Sequence, residues 1–212
     1  RGFWVDARLE LGRWSRESPA YRAAKWLERR FLLEADVVVA LSQSAVDVMR
    51  QYSYLQGRSP RFEVITVCTN LDIFKPVSQD QQSQDRMAAG PFTLGYVGNA
   101  GPGYLFDPVL ECFKLLKSRR PDARLLIVNR RDHHYIRERL LACRIAPELV
   151  EIKAVDHRDV PREIRRMDAG IFFIVPQPSR ISSGPTRMGE FLACGLPCLG
   201  NAGVGNVIEV LE

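Results

Sequence analysis

Apolar runs of strand length alternate along this chain with stretches whose apolar residues recur every three or four positions. Ala35–Leu41 (ADVVVAL) is β-branched and strand-sized, and Ser42 follows as an N-cap for a helix over Ala45–Tyr52. Phe62–Val67 reads as the next strand. From Pro76 through Gln79-Asp80-Gln81-Gln82-Ser83-Gln84 to Gly90 no apolar period survives, and that stretch reads as linker or loop. A cleaner series follows. Phe92–Val97 is a strand, and Pro108–Ser118 a helix with Val109, Cys112, Phe113 and Leu116 on one stripe. Arg124–Val128 is a strand, His134–Cys143 a helix, Leu149–Val155 a strand and Val160–Met167 a short helix. Asp168–Val175 is a strand, Pro185–Cys194 a helix, Leu196–Leu199 a strand, and Val204–Leu211 starts another helix.

Strands that are apolar at successive positions suit a parallel sheet covered by helices on both faces, so the fold class is α/β. Residues 1–76 then belong to one α/β unit, 77–90 form a linker, and 91–212 make up most of a second unit. Open α/β sheets bind ligands beyond the carboxyl ends of their strands. Function is therefore expected in the loops Gly98–Gly103, Asn129–His134, Asp156–Asp159, Pro176–Gly184 and Gly200–Gly205.

Composition narrows the class. Apolar residues are 46% of the chain, ordinary for a water-soluble globular protein. No apolar run approaches the roughly 18 residues of a membrane span. No signal-peptide h-region opens the chain, and both Arg1 and Glu212 fall inside patterned segments, so it reads as a portion of a longer protein. The net charge is +5, but most basic residues are interleaved with acids, as in Glu28-Arg29-Arg30, which argues against a nucleic-acid partner. Arg13, Arg16, Arg22, Lys25, Arg29 and Arg30 cluster early and leave peripheral contact with an anionic membrane surface open. The tryptophans Trp4, Trp14 and Trp26 in the same region read as core or partner-facing. Cys68, Cys112, Cys143, Cys194 and Cys198 lack metal or redox spacing, which suits reduced thiols in the cytoplasm.

Chemistry concentrates in SSGPTRMGEFLACGLPCLGNAGVG, Ser182–Gly205. Ser183 or Gly184 can cap the helix, Pro185 suits its first turn, and Gly195 ends it. Met188, Phe191 and Leu192 form its buried stripe, with Arg187 and Glu190 three residues apart on a neighbouring face. Free N–H groups at such a helix start suit a phosphate, and a Glu deeper in the helix can accept from sugar hydroxyls. The alternative is a plain surface ion pair. GNAGPG at Gly98–Gly103 permits close backbone approach without being a strict GxGxxG. Arg130 and Arg131 end the second strand at the same sheet edge. His133 and His134 fall in the loop after the second strand and His157 in the loop after the third, without metal-ligand spacing.

These residues resemble the group 1 (family four) retaining glycosyltransferases of GT-B fold. Ser183, Pro185, Thr186, Arg187, Glu190, Phe191, Ala193, Gly195 and Pro197 match their donor-site pattern S-P-[TL]-K-x-x-E-[YF]-x-A-x-G-x-P. VITVCTNLDIFKP is similar to the family's link between two Rossmann-like domains. ADVVVALSQSAVDVM resembles the strand and helix before that link, and DAGIFFIVP the strand before the donor motif. The resemblance implies that residues 1–76 end the acceptor-side domain and that residues 91–212 hold a nucleotide-sugar donor. Glu190 would hold the ribose hydroxyls, and Ser183, Gly184, Thr186 and Arg187 the diphosphate. Gly98, Asn99 and Gly101 would lie near the phosphates, and the backbone around His157 near the base, with Arg130 a substitute cation. It implies transfer with retention to a glycan or lipid-linked acceptor, without metal or other cofactor. Two departures stand out. Ser182 occupies the place of the first Glu in Glu-x7-Glu, and residues 99–103 lack the usual Arg and Lys. A GT-B epimerase and a non-catalytic nucleotide-sugar-binding protein are the rival readings, and turnover by this chain alone is not expected.

Overall fold

The computed structural model of the chain describes residues 3–57, 60–76, 90–101 and 103–212. The expected linker at 77–90 lies outside the described residues apart from Gly90.

The described residues up to Val64 form helices on a small sheet. The strands β1 (Val37–Ala40) and β2 (Arg61–Val64) run parallel, with Val37 opposite Arg61 and Ala40 opposite Val64. The helices α1 (Trp4–Glu10) and α2 (Pro19–Glu34) precede them, and α3 (Gln43–Arg50) connects them. Ser18 caps α2 with Pro19 at its first position, and the Ser42 hydroxyl accepts from Ala45 N at 3.2 Å to cap α3. Phe3, Ala40, Ala45, Val46 and Met49 make the local core. Of the three tryptophans read as core or partner-facing, none is core: Trp4 is 49% exposed, Trp26 57%, and Trp14 is partly exposed.

The second unit is a five-stranded parallel sheet in the order β5-β4-β3-β6-β7. Its strands are β3 (Thr93–Val97), β4 (Arg124–Val128), β5 (Val150–Lys153), β6 (Ala169–Ile171) and β7 (Cys198–Leu199). The helices are α4 (Phe106–Arg119), α5 (His133–Ala142), α6 (Val160–Ile164), α7 (Thr186–Ala193) and α8 (Val207–Leu211). Side-chain alternation splits the sheet into two faces. Leu94, Tyr96, Leu125 and Ile127 pack with Phe106, Val109, Phe113 and Ile136 of α4 and α5. Val97, Leu126 and Val128 pack with Val160, Ile164, Met188, Phe191 and Val207 of α6, α7 and α8. The sheet is thus doubly wound. The chain reverses its winding between the adjacent strands β3 and β6, and the crevice opens at their carboxyl ends.

Four expectations are corrected. The strand expected over Asp168–Val175 ends at Ile171. Residues 173–175 instead pair antiparallel with the β3–α4 loop, through Leu105 N to Phe173 O at 3.0 Å and Val175 N to Gly103 O at 3.1 Å. Asn201 holds Ile174 there by accepting from its N–H and donating to its carbonyl. Helix α7 starts at Thr186 with Pro185 as N-cap, and neither Ser183 nor Gly184 caps it. Its Leu192 is 42% exposed while Glu190 is 6% exposed, so the carboxylate takes the place assigned to the leucine. His133 and His134 open α5 rather than lying in a loop.

The two units meet over the loop before α7. Phe3 N donates to Ser182 Oγ at 2.9 Å, the Ser42 hydroxyl to Ile181 O at 2.7 Å, and Ser179 N to Glu10 Oε1 at 2.9 Å. The segment before Pro76 then folds under the second sheet: Phe74 is buried there, its ring meeting His157 edge-on at 5.4 Å.

Candidate functional site

Glu190 organises one end of the crevice. Its Oε2 accepts from Arg187 Nη1, and its Oε1 lies 3.4 Å from His157 Nε2. The ion pair expected from spacing alone is therefore present, but on a buried carboxylate, which makes it more than surface decoration. Each carboxylate oxygen keeps a free lone pair for a further donor.

The loops after β3 and β4 are locked together by a side chain that the sequence reading passed over. Asn129, 2% exposed, donates through Nδ2 to Gly98 O at 2.7 Å and to Asp132 Oδ2 at 3.1 Å. Its Oδ1 accepts from Arg131 N and Asp132 N at 2.9 and 2.6 Å. Asp132 in turn accepts from Ala100 N at 3.0 Å. The buried Tyr96 hydroxyl donates to Asn99 O at 2.5 Å, and burial pushes its pKa up, so it stays a donor. Gly98 has φ +136, which an L side chain rarely adopts, and the Arg187 guanidinium lies over it. The legible signal was Asn-x-x-Asp just past a strand, a side-chain-to-backbone turn.

A cavity of about 560 Å³ results, lined by Gly98, Asn99, Gly101, Arg130, His157 and Arg187 among others. Arg130 pairs with Asp156 at 2.5 Å at its rim. Ser183, Gly184 and Thr186 do not line it. They face a neighbouring cavity of about 640 Å³, and Tyr104 borders both. The structure thus gathers six of the ten expected donor residues around one space, ties Glu190 to two of them, and turns the other three towards the adjoining one.

Ser182, eight residues before Glu190, is used structurally. It is buried, donates to Ser179 O at 2.9 Å and accepts from Phe3 N. The cysteines are free, and burial raises the thiol pKa of Cys194 and brings that of Cys198 to about 11, which keeps both protonated and unreactive at neutral pH. Among the described residues no cluster of His, Cys, Asp or Glu is arranged to hold a metal, and no helix is long and apolar enough to cross a membrane.

No protein-family model matches the sequence, and no curated protein sequence matches it. Solved structures do match the fold. Sucrose-phosphate synthase from Thermosynechococcus elongatus superposes with TM-score 0.65 at 18% identity, over 90% of this chain and 46% of that one. Anabaena HepE in complex with UDP and glucose superposes with TM-score 0.62 at 19% identity, over 92% and 51%. The pneumococcal O-GlcNAc transferase GtfA with UDP and GlcNAc superposes with TM-score 0.62 at 14% identity, over 88% and 34%. These are GT-B glycosyltransferases, and the present fold is theirs: mixed α/β with parallel sheets. The chain spans about half or less of the length of these structures.

Proposed function

We propose that this chain is the donor-side portion of a retaining glycosyltransferase of family four. Residues 1–76 end its acceptor-side domain, 77–90 link, and 91–212 hold the nucleotide-sugar. The observation that carries the reading is the buried Glu190, held between Arg187 and His157 at the mouth of the Gly98 loop. Ribose hydroxyls donate to the Glu190 carboxylate. Arg187 and the N–H groups of Asn99 and Gly101 take the diphosphate, those of Gly98 and Ala100 being bound to Val128 O and Asp132, and Arg130 adds charge once it leaves Asp156. His157 and its neighbours face the base. In the reaction the bond between the anomeric carbon and the diphosphate oxygen breaks, and an acceptor hydroxyl oxygen bonds to that carbon. The hydroxyl proton is released, and the nucleoside diphosphate leaves stabilised by the guanidiniums. No metal or other cofactor is required for this scheme. The acceptor is a glycan or lipid-linked sugar, reached in the cytoplasm with peripheral contact to an anionic membrane face.

A thermal-shift screen with UDP, GDP, ADP, CMP and dTDP tests the donor site. One diphosphate is expected to stabilise saturably, by about 2.7 kcal/mol at 100 times its Kd. No response to any of the five counts against the reading. A second reading, binding without turnover, is favoured by the engagement of Ser182 where the family carries a carboxylate. Sugar release from the matching nucleotide-sugar by the full-length protein separates the two.

A further inference from the structure

The neighbouring cavity, between α1 and the 178–186 loop, carries an unbalanced charge. Its lining contains Arg8, Arg13 and Arg180 and not one Asp, Glu or Lys. In the crevice cavity two of the three lining arginines are neutralised, Arg187 by Glu190 and Arg130 by Asp156, and Arg131 is the one without an ion pair among the described residues. Among the described residues, Arg8, Arg13 and Arg180 form no ion pair and no side-chain hydrogen bond. The two acids of α1 are diverted. Asp6 pairs with Lys25 at 2.8 Å, and Glu10 is bound by the N–H and hydroxyl of Ser179. The fold therefore removes the nearest counter-charges and leaves three guanidiniums around one space. Beside them stands Trp4, half exposed, in T-shaped contact with Trp14 at 5.8 Å and lining the same cavity.

Guanidinium forks match phosphate and carboxylate oxygens, and an aromatic face suits the apolar side of a sugar ring. We propose that this cavity takes an acceptor sugar that itself carries a phosphate or a carboxylate. The inference rests on the donor reading above, because the two cavities meet at Tyr104 and an acceptor seated here would border the bound donor.

Calorimetric titration of the chain, with and without saturating UDP, tests this with glucose 6-phosphate, glucuronate and glucose. One or both anions are expected to bind at least about tenfold more tightly than glucose, the scale of a single charge-assisted hydrogen bond. The stronger of the two identifies the anion as phosphate or carboxylate. The double variant Arg8→Ala/Arg13→Ala alters exposed side chains that make no internal bond, and it should abolish that preference while UDP binding stays unchanged. Arg13→Lys should retain part of it. Anions binding no better than glucose, with UDP still bound, overturn this inference and leave the donor reading standing. Loss of UDP affinity in the double variant assigns the cations to the donor diphosphate and overturns it too. Failure of the sugars and of all five nucleotides of the thermal-shift screen in the folded wild-type chain overturns both.

Discussion

At Glu190 a single carboxylate has two partners on different elements, and their removal should be separable. Glu190→Gln is expected to weaken nucleoside and nucleoside diphosphate alike, by roughly 1–3 kcal/mol, the range for a lost charged hydrogen bond. Arg187→Ala should weaken the diphosphate more than the nucleoside. Equal losses for both ligands in Arg187→Ala would mean that the arginine only holds Glu190 in place. Asn129 makes a different case, since it faces the cavity edge while its amide binds backbone in two loops. Asn129→Ala leaves Gly98 O and the Arg131 and Asp132 N–H groups unpartnered. It should cost about 1–3 kcal/mol in a urea melt, and nucleotide affinity should fall with it. Stability lost with affinity intact would make Asn129 a fold residue alone. Its role could be guessed from the Asn-x-x-Asp turn. That it reaches the β3 loop could not, because the bond to Gly98 O crosses 31 positions in sequence.

At the scale of elements, α6 is fixed by an ionic cluster. Glu163 is buried and accepts from Lys153 of β5 at 3.1 and 3.2 Å and from Arg166 at 2.5 Å. Burial by itself pushes the carboxyl up. The bonds from Arg166 and Lys153 outweigh it and hold the pKa below the ordinary value. A carboxyl lower in the folded than the unfolded state stabilises fully above its unfolded pKa, and that contribution disappears as the pH falls through the folded one. Glu163→Gln should therefore be less stable than wild type near neutral pH, with the gap closing below about pH 4.3. Urea midpoints measured across pH 2–7 provide the check, and a gap independent of pH would sink the assignment. Glu151 shares Arg166, which draws its pKa down as well, but it is half exposed and adds less. Periodicity located most of these elements to within a few residues and placed β4 on Arg124–Val128. It gave no reading of α1 or α2, although Ser18-Pro19 is a helix-start signal.

On the scale of the whole molecule, the link between the two units lies against α7. A Cβ on Gly189 would come within 2.5 Å of Thr69 Oγ1, and one on Gly184 within 2.4 Å of Val67 Cγ2. Among the described residues, Thr69 Oγ1 is the buried side-chain polar atom left without a partner, so it contributes contact rather than a bond. Gly189→Ala should cost about 1–3 kcal/mol by overpacking. In a Thr69→Ala background the clash is gone, and the same change should be neutral or stabilising by up to about 1 kcal/mol of helix propensity. A double-mutant cycle reads this coupling. Equal effects in both backgrounds would mean that the link does not rest on α7.

The sequence by itself determined the alternation of strands and helices, the parallel sheet and the helix that carries Arg187 and Glu190. These are local or periodic properties, written in side-chain spacing of two or 3.6 residues and in glycine and proline punctuation. Tertiary structure alone decided that Glu190 is buried while Leu192 is exposed, and that His157 reaches it from 33 positions away. It also decided that residues 173–175 leave the sheet for the β3 loop, and that the expected phosphate residues divide between two cavities. The physical reason is the same in each case. A carboxylate, a backbone amide or a guanidinium takes the partner that packing brings within about 3 Å, and sequence spacing does not encode which distant residue that will be.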